Sequence, residues 1–313
     1  MWHRPWAGGA VMRVARLLLV AAAAGCVSAP HGSAPPAPSR LELVGQLELP
    51  AEVTLEGVPL GGLSAIAYDA EGDLYHALAD DPGAFGPPRL YRLRLSFDST
   101  PPAAEVLSWQ PLRDSGGEPY PAGIADPEGL ALLVDGSLLV ASEGLADQGI
   151  DPFLRRFAAD GRQLGEVPLP SRYLPEADGS RGVRSSLGFE SLTIEPGGER
   201  AYLATEGPLA QDGPAADLGV AGLARILVLS WPDGRPLAEH AYRIEPLTMT
   251  PRPADGFRVG GLVELLALDR RRLLALERQF AVGSGFSLRL YAVGLSQATD
   301  LTTVDALPAE PGV

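Results

Sequence analysis

Gly188-Phe-Glu-Ser-Leu-Thr-Ile194, a turn through Gly197-Gly198, then Ala201-Tyr-Leu-Ala-Thr-Glu206: this stretch decides the fold class. Two short apolar, β-prone runs flank a Gly-Gly pair. Glycine adopts positive φ without steric cost, so the stretch reads as a β-hairpin. The same grammar occurs three more times. Gly61-Gly-Leu-Ser-Ala-Ile-Ala-Tyr-Asp69 passes through Glu71-Gly72 to Leu74-Tyr-His-Ala-Leu-Ala-Asp-Asp81. Asp126-Pro-Glu-Gly-Leu-Ala-Leu-Leu-Val134 passes through Asp135-Gly136 to Ser137-Leu-Leu-Val-Ala-Ser-Glu143. Gly260-Gly-Leu-Val-Glu-Leu-Leu-Ala-Leu-Asp269 passes through Arg270-Arg271 to Arg272-Leu-Leu-Ala-Leu-Glu277.

Further strand-like runs follow each hairpin: Arg89 to Leu95, Phe153 to Phe157, Ala224 to Ser230 and Leu288 to Ala292. Asp160-Gly161 and Asp233-Gly234 supply extra hairpin turns. Each unit therefore offers about four strands, the content of one propeller blade. The acids closing the second strands, Asp80, Glu143, Glu206 and Glu277, stand 63, 63 and 71 residues apart. A period this long means extended loops between strands. The expected class is all-β, a β-propeller of four recognisable four-stranded units. Arg258 to Arg278 is rich in leucine, but its period-2 pattern and its place in the repeat predict strand.

The N-terminus reads as an export signal. Arg13 and Arg16 precede the apolar run Leu17 to Ala24, which is too short to span a bilayer. Ala23-Ala24-Gly25-Cys26 resembles the bacterial lipobox, so residues 1–25 are expected to be a lipoprotein signal peptide and Cys26 the lipidated residue. Residues 26–40, rich in Pro, Ala, Ser and Gly, cannot bury enough apolar surface to order and read as a disordered tether. Residues 41–313 form the folded domain. The expected location is the cell envelope, on the periplasmic side of a bacterial membrane, with the anchor as the sole membrane contact.

Composition narrows the chemistry. Cys26 is the only cysteine, so an intrachain disulfide is impossible. All 25 basic residues are arginine, which removes Schiff-base and P-loop mechanisms that need lysine. Net charge is −14, and losing Arg4, Arg13 and Arg16 with the signal takes it to −17. A surface this acidic repels nucleic-acid phosphates and attracts cations. The domain is expected to be a monomer.

The segment Gly182 to Gly213 resembles the most recognisable part of the family named for the esterase-like activity of phytase. Asp126-Pro-Glu-Gly-Leu130 with Ser142-Glu143-Gly144 resembles a second part, and the similarity covers about residues 41 to 295. It implies hydrolysis of a small-molecule ester or phosphoester. Family members carry a further C-terminal repeat that this chain lacks before Val313, so the resemblance implies a short variant or a missing blade. Leu41 to Leu49 is the candidate closing strand.

Glu128 and Glu190 fill one place in two repeats, at the start of the inner strand; Ser64 and Val263 fill it in the others. Equivalent places in a propeller converge on one axis. Carboxylates crowded there raise one another's pKa or bind a hard cation such as Ca²⁺. Glu128 and Glu190 are thus candidate catalytic groups, with Arg184 as a phosphate clamp. Arg181 and Arg89 are candidate substrate-binding residues, and Glu143, Glu206, Asp80 and Glu277 candidate metal ligands. Acids at strand ends also serve simply to accept backbone hydrogen bonds between blades. Two functions therefore stay open on the residues: a cation-assisted phosphoester hydrolase, or a non-catalytic envelope propeller that binds a ligand or protein partner. With His76 and His240 as the only histidines of the folded domain, neither an ordinary zinc site nor a Gly-x-Ser-x-Gly esterase is supported.

Overall fold

The computed structural model describes residues 15–17, 42–43, 45–49, 53–99 and 101–307. Of the expected signal peptide only residues 15–17 are among them, and the tether 26–40 with Cys26 lies outside the described residues.

Four antiparallel sheets follow one another in the order of the repeats. Two short pairs precede them, β1 (Ala15–Leu17) with β2 (Leu47–Leu49), and β3 (Thr54–Leu55) with β4 (Val58–Pro59). Blade 1 is β5 (Leu63–Asp69), β6 (Leu74–Ala79), β7 (Arg89–Ser96) and β8 (Ala103–Pro111). Blade 2 is β9 (Pro127–Leu132), β10 (Leu138–Ser142), β11 (Phe153–Phe157) and β12 (Gln163–Val167). Blade 3 is β13 (Phe189–Ile194), β14 (Arg200–Thr205), β15 (Gly222–Ser230) and β16 (Pro236–Ile244). Blade 4 is β17 (Arg258–Asp269), β18 (Arg272–Ala281) and β19 (Gly285–Gly294). The protein is an all-β propeller of four blades, and the leucine-rich segment 258–278 is strand. Among the described residues helical backbone is confined to three short 3₁₀ turns.

The blades pack face to face because their strands are apolar on both sides. On β10, Leu138 and Val140 face blade 1, packing with Leu78 and Leu90; Leu139 and Ala141 face blade 3, packing with Phe189 and Leu203. Blade 3 buries Tyr202, Ala204 and Ile226 against Leu262, Leu265 and Ala275 of blade 4. The inner strands β5, β9, β13 and β17 touch in sequence across these three seams. The outer face of blade 1 is covered by Leu49, Val53, Leu55 and Leu60.

Two expectations change. The fourth unit has three strands among the described residues rather than four. After β19 the chain turns back onto blade 3 and is held there. Leu301 N–H donates to the Glu239 carbonyl, the His240 ring bonds the Thr299 carbonyl, and Arg172 donates to the carbonyls of Thr302 and Val304. A segment bound in this way cannot also extend the fourth sheet. The proposed closing strand over 41–49 likewise joins no blade: Leu47–Leu49 pairs with Ala15–Leu17. Leu266, Phe286 and Leu288, which side with the far face of blade 4, remain exposed.

Candidate functional site: a carboxylate ring at the propeller axis

Each inner hairpin carries one β-bulge at the same place. The pairing skips Ser64 in blade 1, Glu128 in blade 2, Glu190 in blade 3 and Val263 in blade 4. A bulge re-aims its extra residue; Ser64, Glu128 and Glu190 stand second in their axial strands, while Val263 lies inside the longer β17. Opposite them, just past the second strand, stand Asp80, Glu143 and Glu206, each N–H bonded back to the residue two before the bulge. In blade 4 that place belongs to Arg278, which pairs with Gly261.

This corrects the reading of Glu277. It pairs with Leu262, one residue out of frame, and a one-residue slip in a strand turns the side chain to the other face. Glu277 is buried away from the axis, where it accepts a hydrogen bond from Tyr242 (2.8 Å) and approaches the Glu245 N–H (3.3 Å). It is a seam residue between blades 3 and 4, not a member of the ring.

The ring itself is dense in carboxylates. Oxygens of Asp126, Glu128 and Glu143 lie within 4.8 Å of one another. Glu143 is buried and accepts the Gly188 N–H at 3.1 Å. Arg278 Nη2 stands 3.5 Å from Glu190 and 3.4 Å from Glu206, the one guanidinium paired with the ring among the described residues. Burial pushes every one of these acids up, and the charges of neighbouring acids add to it for all but Glu206. Asp126 rises to about 6 and Glu143 to about 8, each mainly through desolvation. Glu128 and Glu190 are held well above the carboxylate range, by burial first and then by a neighbouring acid, Glu190 acting on Glu128 and Glu206 on Glu190; Glu206 and Asp80 shift the same way. Asp126 Oδ1 is buried without a hydrogen-bond partner.

The donor set fits a hard divalent cation. It offers several carboxylate oxygens, closely spaced, with no nitrogen or sulfur, which suits Ca²⁺ or Mg²⁺ rather than zinc. The orphaned oxygen of Asp126 and the raised carboxyls are what a site of unneutralised anions looks like.

The three arginines named from sequence do other work. Arg89 is 2 % exposed and its donors are committed: to Asp81 (2.8 Å), the Tyr91 hydroxyl (2.5 Å) and the Pro87 and Pro59 carbonyls (3.2 Å each). It therefore has nothing left for a substrate. Arg184 donates to the carbonyls of Leu209, Ala210 and Gly213, tying a loop rather than clamping an anion at the ring. Arg181 is paired with Asp305 at 2.7 Å and with Glu176.

Sequence reading missed Asp126 and Arg278. From the bulge residue to the strand end is 16 residues in blades 1 and 3 and 15 in blade 2; from Val263 the same count of 15 reaches Arg278. That spacing was the available signal. Asp126 stands where the other repeats carry Gly62, Gly188 and Gly261. At two of these positions glycine is required by close approach: a Cβ on Gly188 would lie 2.5 Å from that of Glu143, and one on Gly261 2.3 Å from Glu206 Cγ.

An axial ring of acids on a propeller scaffold defines the class of protein. The sequence profile of the family described as esterase-like activity of phytase matches residues 58–312, and the chain belongs to that family. No curated protein matches. Among solved structures the chain is similar to the Dos1 propeller (9% identity, TM-score 0.35), covering 76% of this chain and 50% of that one. A Bacteroides caccae protein of unknown function is 15% identical over 71% of this chain and 59% of its own, with TM-score 0.30. The periplasmic gluconolactonase of Pseudomonas aeruginosa is 16% identical over 82% of this chain and 76% of its own, with TM-score 0.36. The chain thus spans only half to three-fifths of the length of the first two.

Proposed function

We propose that the protein hydrolyses a small-molecule ester or phosphoester at the axial ring with the help of a divalent cation, Ca²⁺ by donor chemistry. The observation that carries the reading is the convergence of Asp126, Glu128 and Glu143 within 4.8 Å, beside Glu190 and Glu206, with their pKa values displaced upward. Asp126, Glu128 and Glu143 would hold the cation, which supplies charge neutralisation for an anionic oxygen. Glu190, on the neighbouring inner strand, holds its proton more tightly than an ordinary carboxyl because it is buried beside Glu206, and is suited to protonate a departing alkoxide. Arg278 holds Glu190 and Glu206 in place, and its guanidinium, 41% exposed, reaches an anionic oxygen of a substrate bound at the mouth.

Calcium titrated into the purified protein should raise its melting temperature and support turnover of a generic phosphoester or carboxylic ester. Glu190→Gln should remove turnover, by a factor of about 10² or more, while keeping the calcium stabilisation. Stabilisation without turnover in the wild type would move the protein to the binding-propeller reading. We also propose export and lipid anchoring through Cys26, on the lipobox-like sequence. Incorporation of labelled fatty acid that survives in Cys26→Ser would refute it.

A further inference from the structure

A second cavity system lies between blades 3 and 4, at the end of the strands remote from the ring. One cavity of about 530 Å³ is lined by Glu195, Asp269, Arg270, Arg271, Arg272 and Ser296, among others. It shares Arg270, Arg271 and Ser296 with a second of about 270 Å³ that adds Arg200, Tyr202 and Leu295. The β17–β18 turn carrying Arg270 and Arg271 is seven residues along β18 from Arg278, about 20 Å at the rise of a strand.

The arginines here are unequal. Arg270 is engaged by Glu195 (3.2 Å) and by Glu199, and Arg272 by Asp269 (2.7 Å). Arg200 stands beside Tyr202, whose hydroxyl donates to the Arg270 carbonyl (3.1 Å) and so holds the turn. Among the described residues no acid pairs with Arg200 or Arg271. Two guanidiniums without counter-charge therefore open into one cleft, over an apolar floor of Val228, Ala238 and Leu295. In a chain of net charge −14, such a spot runs against the field of the whole molecule.

We propose that this cleft is a binding site for a small organic anion, recognised through a phosphate or carboxylate group by Arg200 and Arg271. A guanidinium presents donors in a planar fork that matches either oxyanion, and the apolar floor takes the carbon skeleton behind it. The site is independent of the axial ring and does not rest on the hydrolase reading.

The test is calorimetric titration of the purified protein with inorganic phosphate and with citrate, at constant ionic strength, after the axial ring has been stripped with a chelator and the chelator dialysed away. Saturable binding is expected, and Arg271→Ser and Arg200→Gln should each weaken it about tenfold, the loss of roughly one charge-assisted contact. Glu128→Gln should leave it unchanged. The better of the two probes reports which oxyanion the fork prefers. Arg271 is exposed, so its variant tests binding without touching the core. Absence of saturable binding for both probes, or binding indifferent to both arginine variants, or binding lost in Glu128→Gln, overturns the proposal.

Discussion

At the scale of single residues, the acids of the ring set the pH dependence. A carboxyl whose pKa is displaced upward binds its proton more tightly folded than unfolded. Between the two pKa values the folded state holds more protons, so stability falls as pH rises. For Glu143 the window runs from its ordinary value near 4.5 to about 8, and for Asp126 from 3.8 to about 6. Chelated protein should therefore lose stability steadily from about pH 4 to pH 8, as thermal melting will show, and calcium should restore most at the alkaline end. Glu143→Gln removes one such charge. It should melt higher than wild type at pH 8 without calcium, and gain less when calcium is added. Arg89 makes the opposite case. Its replacement by Ala leaves Asp81 buried and unpaired, at a cost of about 3–5 kcal/mol in chemical denaturation, with ester turnover per folded molecule unchanged.

At the scale of the element, the hairpin is the unit the sequence announces. Acidic-Gly and Gly-Gly turns located β9–β10 and β13–β14, where Gly136 and Gly198 take the positive φ that few residues accept; in β5–β6 the Glu71-Gly72 pair marks the turn but the positive φ falls on Asp73. Even the weak Arg270-Arg271 turn was found, through its apolar flanks. What the sequence concealed was the bulge. A bulge adds one residue to one strand without any compositional mark, so aligning repeats by acids put Glu277 where Arg278 belongs. The consequence was chemical, since it replaced the ring's cation with another acid. Arg89, Arg181 and Arg184 were misplaced for a related reason. Arginine side chains are long, and whether one meets a carbonyl, an acid or open solvent depends on contacts that local pattern does not encode, on the strand end at Arg89 as in the loops of Arg181 and Arg184. The seams themselves are testable as elements. Gly188→Ala would set a Cβ against Glu143 and should destabilise by about 1–3 kcal/mol while displacing the carboxylate, so calcium stabilisation and melting temperature should fall together.

At the scale of the whole molecule, propeller class and family membership were legible because both rest on repetition, which survives errors of one residue. The strand count of the fourth blade was not, because it depends on a distant competitor. Arg225 is fully buried between Asp212 and Glu239 and donates to the carbonyls of Val304 and Asp305, while Leu307 N–H bonds Asp212. Residues 299–307 are thus more strongly claimed by blade 3 than by the edge of β19. Arg225→Ala should free this stretch and cost about 3–5 kcal/mol, read as early cleavage near residues 299–307 in limited proteolysis. The same strap also imposes an order on maturation. During synthesis, blade 4 is available before residues 299–307 are, yet the carbonyls of Val304 and Asp305 that take two of the buried arginine's N–H bonds arrive only some 79 residues after Arg225. The third blade is completed after the fourth, and a chain emerging from its amino end carries an ion-paired arginine with unsatisfied N–H groups inside blade 3 until that late contact forms.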